Sequence, residues 1–434
     1  WLRSRSDPMP TYQGTRATRL GTKPRGKRRQ RFRFDPVLWG IPVFLTLLAG
    51  VLIASTQRQS PLADWENHWI TAFVAIGVAV GLSRVALKRL QQLLLPIYIA
   101  TLVSLLAVKL VGTSALGAQR WISIGGFNVQ PSEFAKLAAI LLLAGILARH
   151  PIERPVDLLR PMAVISVPWA MVFIQPDLGT SLVFGAVLLA MLYWAGLPLE
   201  WLVLLISPLP TALIAGLFPW GLIPWFALLT LLAWRSLPWK AIAVGVSLAI
   251  NGIFAWITPL LWMHGLKDYQ RDRLILFLDP TKDPLGGGYH LLQSTVGIGS
   301  GQIFGTGLMQ GQLTKLQFIP EQHTDFIFSA LGEEAGFIGC VVVLVAYLVW
   351  AWRLLQIAGQ ARSDFESLVV IGVLAMVMFQ VIININMTIG LGPVTGIPLP
   401  WLSYGRFALL VNFMGIGLVA SVEREARRAR MRLQ

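Results

Sequence analysis

The sequence predicts an all-α polytopic membrane protein, and three observations carry that prediction. Hydrophobic residues fill 55% of its 434 positions and charged residues only 13%, against about 25% charged in soluble domains. Mean hydropathy is correspondingly high, at +0.64. The apolar residues also gather into runs close to the ~20 residues that a helix needs to cross a bilayer, with most charges left between them. A large soluble core is excluded.

Twelve runs order the chain. They lie near 37–55, 69–83, 93–111, 133–148, 161–175 and 179–196, then near 199–217, 219–234, 238–262, 326–352, 367–387 and 406–422. Pro208, Pro210, Pro219 and Pro224 interrupt the pair between 199 and 234, which reads either as two crossings or as a re-entrant segment. Both choices leave every later segment on the same side. No repeat of fixed period runs through the chain.

Basic residues orient the series. Net charge is +15, and eleven of the 36 Lys and Arg fall in the first 34 residues against one acid, Asp7. That tail, Arg84, Lys88 and Arg89, the 149–160 segment, Arg235 and Lys240, the 353–362 segment and the final EREARRARMR share one side if crossings alternate. The excess of bases makes that side cytoplasmic, with both termini there. Loops 56–68, 112–132, the short QPDLG turn, 263–325 and 388–405 then face outward. The chain therefore divides into a basic, disordered cytoplasmic tail (1–36), a polytopic membrane domain (37–422) and a short basic cytoplasmic tail (423–434). The natural partner of the first tail is the anionic inner leaflet. No recognition helix or stacking motif accompanies its charge, so nucleic acid is not expected. No cleavable signal peptide is expected either, because the tail before the first apolar run is long and no small-residue cleavage site follows that run. The single cysteine, Cys340, lies in an apolar run and reads as packing rather than chemistry.

Polar chemistry has few places to go in such a chain. The stretch from Lys267 to Phe328 is the exception, with Asp272, Asp279, Asp283, Glu321, Asp325, His290 and His323 in about sixty residues punctuated by glycine. Leu274–Leu278 and the Leu291–Ile298 region are apolar enough to lie in the headgroup layer. The whole stretch then reads as a lid resting on the outer face of the membrane.

Five blocks carry a resemblance. They are GAQRWISIGGFNVQPSEFAKL (117–137), QPDLGTS (175–181), YQRDRLILFLDPTKDPLGGGYHLLQS (269–294), IPEQHTDFIFSALGEEAGFIG (319–339) and NMTIGLGPVTGIPLPWLSYG (386–405). Their order and content resemble the RodA/FtsW family, the SEDS proteins, and look more like its elongation branch, RodA, than its division branch. The fold implied is a SEDS-type bundle of about ten helices, to which 199–234 adds a pair, with a long extracytoplasmic loop at 263–325. This chain departs from the family after SYG, where Arg406-Phe407-Ala408 replaces the usual Gly-Ser-Ser.

The resemblance implies a peptidoglycan glycosyltransferase of the bacterial cytoplasmic membrane. Its substrates would be lipid II and the nascent glycan strand, and its partner a class B penicillin-binding protein that cross-links the product. Lipid II carries a diphosphate leaving group, which departs without protonation. One carboxylate to take the proton of the attacking hydroxyl, with cations on the diphosphate, is then sufficient. Asp283 matches the family position proposed to be catalytic, and Gly286–Gly288 give its backbone room beside a bulky sugar. Read without the family, Asp283-Pro284 is a turn starter, and Asp279-Pro280 remains one. Arg271 and Arg273 either grip the diphosphate or anchor a helix end in headgroups.

Glu133 and Lys136 stand three apart on one helix face, where they can pair; the resemblance makes the pair functional, while the plain reading is a rim pair that serves topology. Arg120 either faces the diphosphate or snorkels. Glu333 and Glu334 either act or satisfy neighbouring helices. His323 and Asp325, with His290 and Glu321, lack metal-ligand spacing, so no dedicated metal is expected; a Mg²⁺ or Mn²⁺ ion riding on the substrate diphosphate fits better. The glycines of GIGSGQIFGTG lack a following GK[ST] and read as turns and close packing. Two other classes compete with the polymerase. One is a flippase moving lipid II across the membrane, which buried Glu and Lys and broken helices would suit. The other is a scaffold that only recruits the cross-linking enzyme.

Overall fold

The computed structural model describes residues 35–56, 65–115, 118–124, 127–175, 177–237, 239–260, 288–316, 318 and 321–433. Asp272, Asp279, Asp283, Arg271, Arg273, the 274–278 stretch and the tail before residue 35 lie outside them. Contacts divide the chain into Trp1–Asp35 and Pro36–Gln434, and the second unit is the subject here.

All twelve apolar runs are helical where described. The first six become α1 (Pro36–Thr56), α2 (Trp65–Leu82), α4 (Leu94–Val111), α5 (Pro131–Leu147), α6 (Leu159–Ile174) and α7 (Leu178–Trp194), with a short α3 (Leu87–Leu90) between α2 and α4. The added region forms α8 (Leu199–Ile206), α9 (Pro208–Leu217) and α10 (Leu222–Ser236), followed by α11 (Lys240–Leu260). After these come α12 (Tyr289–Ser300), α13 (Gln312–Lys315), α14 (Ile327–Gly359), α15 (Asp364–Thr388) and α16 (Arg406–Leu433). Among the described residues six helices are long and apolar enough to cross a membrane, and seven if α8 and α9, bent by 43° across Ser207, form one span.

Helices α5 and α15 form the centre. Helix α5 buries fourteen residues and α15 fifteen. They meet α4, α6, α7, α14 and α16 around them. Gly372 of α15 lets the two axes close up, because a Cβ there would run into the Ile140 side chain of α5. The added helices are peripheral by contrast: α11 buries only Ser247 and Asn251. A polar knot holds them together. Asn251 Nδ2 donates to Ser207 Oγ at 2.9 Å, Thr211 Oγ1 to Asn251 Oδ1 at 2.5 Å, and Trp225 Nε1 to Thr211 Oγ1 at 2.7 Å. The knot gives the Trp225 Nε1 proton and the Asn251 Oδ1 oxygen partners that a lipid setting would not supply.

Three findings depart from the sequence reading. The 112–132 loop carries a three-stranded antiparallel sheet, β1 (Thr113–Ala115), β2 (Ala118–Ile124) and β3 (Phe127–Val129), with Ser123 opposite Asn128. Its strands are too short for a periodic signal, although Gly125-Gly126 between alternating residues is a hairpin cue. Helix α14 runs seven residues beyond the expected end at 352 and is broken inside, at Gly336 (φ 65°, ψ −166°). And α12 turns its buried stripe, Leu291, Ser294 and Gly297, to protein rather than to a headgroup layer: Ser294 Oγ meets Ser329 Oγ of α14 at 2.5 Å and donates to Thr388 O of α15 at 2.6 Å.

Backbone groups on both sides of the break at Gly336 find partners outside the helix. Thr306 N and Gly307 N donate to the carbonyls of Glu333 and Glu334 at 2.9 and 3.0 Å, and Phe337 N and Ile338 N donate to Gln302 O and Ile303 O at 2.8 and 3.1 Å. The turn at 301–307 thus stands in for the missing helical bonds. It can approach so closely because Gly301 lies against the Gly332 carbonyl, where a Cβ would collide. Gly301 and Gly305 of GIGSGQIFGTG therefore serve close packing, whereas Gly299 has open space around it.

Candidate functional site

The N-terminal ends of α5, α7, α14 and α16 and the C-terminal end of α15 meet at one end of the bundle, and Arg120, Glu133, Lys136, His323 and Asp325, among the described residues singled out in the sequence, stand there. Helix α5 opens with Pro131, and its first turn holds Glu133, a place where the helix dipole favours an anion. Lys136 Nζ donates to Glu133 Oε1 at 2.8 Å, with side chains 2% and 4% exposed respectively. So deep a pair has shed its hydration, and each charge holds the other in place. Glu133 Oε2 is buried and has no hydrogen-bond partner among the described residues.

Asp177 opens α7 and caps it, accepting from Thr180 N at 3.2 Å. Its carboxylate also faces Arg120 of β2, Nη1 to Oδ1 at 3.7 Å, and Gln130 at the foot of α5, Nε2 to Oδ2 at 3.5 Å. The three-stranded sheet is thereby tied to the helix ends through Arg120, whose guanidinium is aimed at Asp177 rather than free to snorkel. Gly179 brings the loop between α15 and α16 onto the same helix end. A Cβ there would stand 2.7 Å from Ile397 Cγ1 and 2.9 Å from Thr395 O.

That loop is fastened at several points. Asn384 of α15 donates to Ile397 O and to Asp325 O, both at 2.8 Å. Asp325 Oδ2 comes close to Gly396, 3.5 Å from where a Cβ would sit. Tyr404 N donates to His323 O at 2.8 Å, and the two rings lie 5.9 Å apart. Arg406, where the chain departs from its family pattern, donates through Nε to the Tyr404 hydroxyl at 3.3 Å. Phe407 packs on Phe134 of α5 at 6.0 Å, which closes the circuit back to the Glu133–Lys136 turn. Trp401 adopts φ +62°, unfavourable for a bulky residue, and is held there against Tyr347 and Trp350. Burial pushes the His323 imidazole below its ordinary pKa, with Glu321 opposing that shift.

The circuit joins Arg120, Glu133, Lys136, His323 and Asp325 through residues that the sequence reading did not single out: Gln130, Asp177, Asn384 and Tyr404. A cue existed for Asp177, since an acid directly before a helical run is an N-cap signal. Nothing in the sequence marked Asn384, whose role depends on two carbonyls from distant segments. Asp283, Arg271 and Arg273 fall outside the described residues. Glu333 and Glu334 stand apart from the circuit and are consumed by structure. Glu333 accepts from Leu313 N, Thr314 N and Thr314 Oγ1 at 2.8, 2.9 and 2.6 Å, and Glu334 accepts from Met309 N at 2.9 Å and from Ser55 Oγ. Among the described residues no group of His, Cys, Asp and Glu side chains could hold a metal ion.

Comparison with known proteins points one way. The FtsW/RodA/SpoVE family, described as cell cycle proteins, matches residues 33–220 and 220–428, the two stretches meeting inside the added helices. The peptidoglycan glycosyltransferase MrdB of Escherichia coli (strain K12) is 35% identical over 395 residues, 90% of this chain and 94% of that one. The peptidoglycan glycosyltransferase RodA of Treponema pallidum (strain Nichols) is 34% identical over 88% of this chain and 96% of its own. Among solved structures, a chain from work on the structural coordination of polymerization and crosslinking by a peptidoglycan synthase complex superposes with a TM-score of 0.69 at 28% identity, covering 91% of this chain and 98% of that one. The rod shape determining protein RodA of Thermus thermophilus superposes with a TM-score of 0.59 at 25% identity, with the same coverage.

Proposed function

The chain belongs to the FtsW/RodA/SpoVE family, and on that basis we propose that it is a peptidoglycan glycosyltransferase that polymerises lipid II into glycan strands during cell elongation. The observation that carries the reading is the breadth of the match to enzymes of that name, at 35% identity over nearly the whole of both chains. It is a multi-pass membrane protein. The distribution of bases supports placing both termini in the cytoplasm, and hence the circuit of Arg120, Glu133, His323 and Asp325 at the outer face.

In the proposed reaction the acceptor sugar hydroxyl attacks the anomeric carbon of the donor. The new glycosidic C–O bond forms as the bond to the lipid diphosphate breaks, and the hydroxyl proton passes to a carboxylate. Asp283 is proposed as that carboxylate. Arg120, Arg271 and Arg273 are proposed to face the diphosphate, with the Glu133–Lys136 pair supporting the site from below. Any divalent cation is proposed to arrive on the substrate diphosphate, which would leave its hydration largely intact. A class B penicillin-binding protein is the proposed partner, and the superposition on a chain of a peptidoglycan synthase complex supports that choice.

The test is reconstitution of purified protein with lipid II and no other polymerase. Asp283→Asn keeps the turn-forming character of the residue but cannot take a proton at neutral pH. It should reduce polymerisation by the ~100-fold typical of a lost general base, while lipid II binding persists. Asp279→Asn should retain most activity. Full activity in both variants would overturn the single-carboxylate mechanism, and no product from the wild-type protein would favour the flippase or scaffold.

A further inference from the structure

Between the turn that leads into α6 (Pro155–Leu158), α8 and α11 lies a cavity of about 320 Å³. Its walls are apolar almost throughout, with Leu158, Trp201 and Leu205 facing Ile242, Val246 and Ile250 of α11. The residues that line it run along α11 from Trp239 to Asn251, about 18 Å at 1.5 Å per residue. Spread over that length, the volume is a channel about 5 Å across. A helix, about 10–12 Å wide with its side chains, cannot enter it, whereas a single hydrocarbon chain can.

Two buried polar side chains, Ser247 and Asn251, reach this channel. The Asn251 amide is spent, since Nδ2 donates to Ser207 Oγ and Ser247 O while Oδ1 accepts from Thr211. Ser247 Oγ has no hydrogen-bond partner among the described residues. Its neighbours behave differently. The other five hydroxyls between residues 199 and 260, those of Ser207, Thr211, Thr230, Ser236 and Thr258, each donate to a carbonyl three or four residues earlier, at 2.6–2.8 Å. An unmade hydrogen bond is costly in so apolar a setting. Water answers it poorly, because a buried water makes about three hydrogen bonds, and Asn251 and Trp201 Nε1 are already engaged. The channel therefore calls for an apolar chain that carries one acceptor.

Position says which chain. Pro155 and Trp239 stand at the starts of two helices long enough to cross a membrane, and an indole as exposed as that of Trp239, at 72%, suits the headgroup level. Ser247 lies about 12 Å further along α11. Six or seven bonds separate a lipid phosphate from its first ester carbonyl, about 9 Å at full stretch, and a hydrogen bond adds about 3 Å. A glycerolipid whose phosphate is level with Trp239 brings that carbonyl to Ser247. We propose that the channel holds one chain of a membrane glycerolipid, its ester carbonyl accepting from Ser247 Oγ. The lipid fills the space between the start of α6 and the peripheral helices, where α11 buries only two side chains of its own.

The full-length protein is reconstituted in nanodiscs of equal parts diester and diether phosphatidylcholine with identical chains, and the lipid retained after extraction is counted by native mass spectrometry. The two lipids differ in the carbonyl alone. Wild type should retain one diester molecule in about fivefold preference to the diether, the effect of one net hydrogen bond. Ser247→Ala should abolish the preference while still retaining a lipid, because the channel stays open. Ser236→Ala removes a hydroxyl that its own helix already satisfies and should leave the preference intact. Ser247→Leu, which fills the channel, should retain one lipid fewer of either kind. The proposal is overturned if wild type does not distinguish the two lipids, an arm that needs no variant. It is overturned equally if Ser247→Ala keeps the preference, as when the hydroxyl turns back on the Ala243 carbonyl, or if Ser236→Ala loses it.

Discussion

Two regions of this chain that bury carboxylates, the Glu333–Glu334 turn of α14 and the foot of α5, differ in what is left over. Around Glu333 and Glu334 all four carboxylate oxygens are occupied by groups from α13, from the turn before it or from α1. At the foot of α5, Glu133 spends one oxygen on Lys136 and keeps the other buried without a hydrogen bond among the described residues. Buried acids are costly in both places. In the first the cost is met by the hydrogen bonds that order the 309–314 segment and hold Ser55. In the second a neighbouring charge meets it, and accepting capacity remains beside the circuit of Arg120, Asp177 and His323. A buried acid is therefore not informative by itself; its unspent lone pairs are.

The largest effect expected from this contrast is at Glu333. Glu333→Ala strips the acceptor from Leu313 N, Thr314 N and Thr314 Oγ1 at once. With charged hydrogen bonds worth about 1.5–3 kcal/mol each, the loss of about 5 kcal/mol or more approaches the whole stability of a domain. The variant should fail to give a monodisperse species on fluorescence-detected size exclusion. No second-site change should rescue it, because two of the three donors are backbone amides. A variant that elutes and melts like wild type would erase the distinction between the two regions.

The Glu133–Lys136 pair should behave differently. Either single change to Ala leaves a buried charge without its partner and should cost about 3–5 kcal/mol. The double change Glu133→Leu with Lys136→Met removes both charges and should regain most of the lost thermal stability. If the spare oxygen serves the reaction, that refolded double variant should still polymerise about 100-fold more slowly than wild type, as when a preorganised polar group is deleted. A double variant that is both stable and active would reduce the pair to structure and leave the two regions alike.

How far the sequence showed this follows from the range of the forces involved. Helices are local, and the runs at 37–55, 367–387 and 406–422 lie within α1, α15 and α16 because an apolar run long enough to span a bilayer must satisfy its own backbone. The Glu133–Lys136 pair is legible for the same reason, since three residues on a helix fix a face. The Glu333–Glu334 pair is not, because its partners come from Ser55 and from 309–314, which no periodicity connects to it. Arg120 was legible as a base near the site, but its acceptor, Asp177, lies more than fifty residues away. The break at Gly336 is invisible in a run that reads GEEAGFIG, where a glycine inside a helix is ordinary.

That break sharpens the same comparison at smaller cost. Gly336 holds a backbone conformation open essentially to glycine, and a Cβ there would also press on Ile303 O at 2.6 Å. Gly336→Ala should destabilise by about 1–3 kcal/mol from the backbone alone. It should lower the melting temperature while leaving a folded, active fraction, since the bonds to Glu333 and Glu334 survive. If the variant were as stable as wild type, the break would not depend on glycine.

The smallest effect separates the regions by pH. His323 lies in the turn before α14, inside the circuit, and burial lowers its pKa from the ordinary 6.5 more than Glu321 raises it. The unfolded chain therefore binds the His323 proton more readily than the folded one. This contribution to stability is complete above the ordinary histidine value and is lost as pH falls through it toward the depressed folded value. Melting temperatures measured at pH 7.5 and 5.5 include every other titrating group, so the informative quantity is the change made by His323→Gln. That substitution cannot take a proton and should narrow the gap between the two temperatures. A wider gap would mean that Glu321 outweighs burial and that the imidazole is held charged. His323 would then belong with the residues spent on structure, as Glu333 does, and the open side of the circuit would shrink to Glu133 and its neighbours.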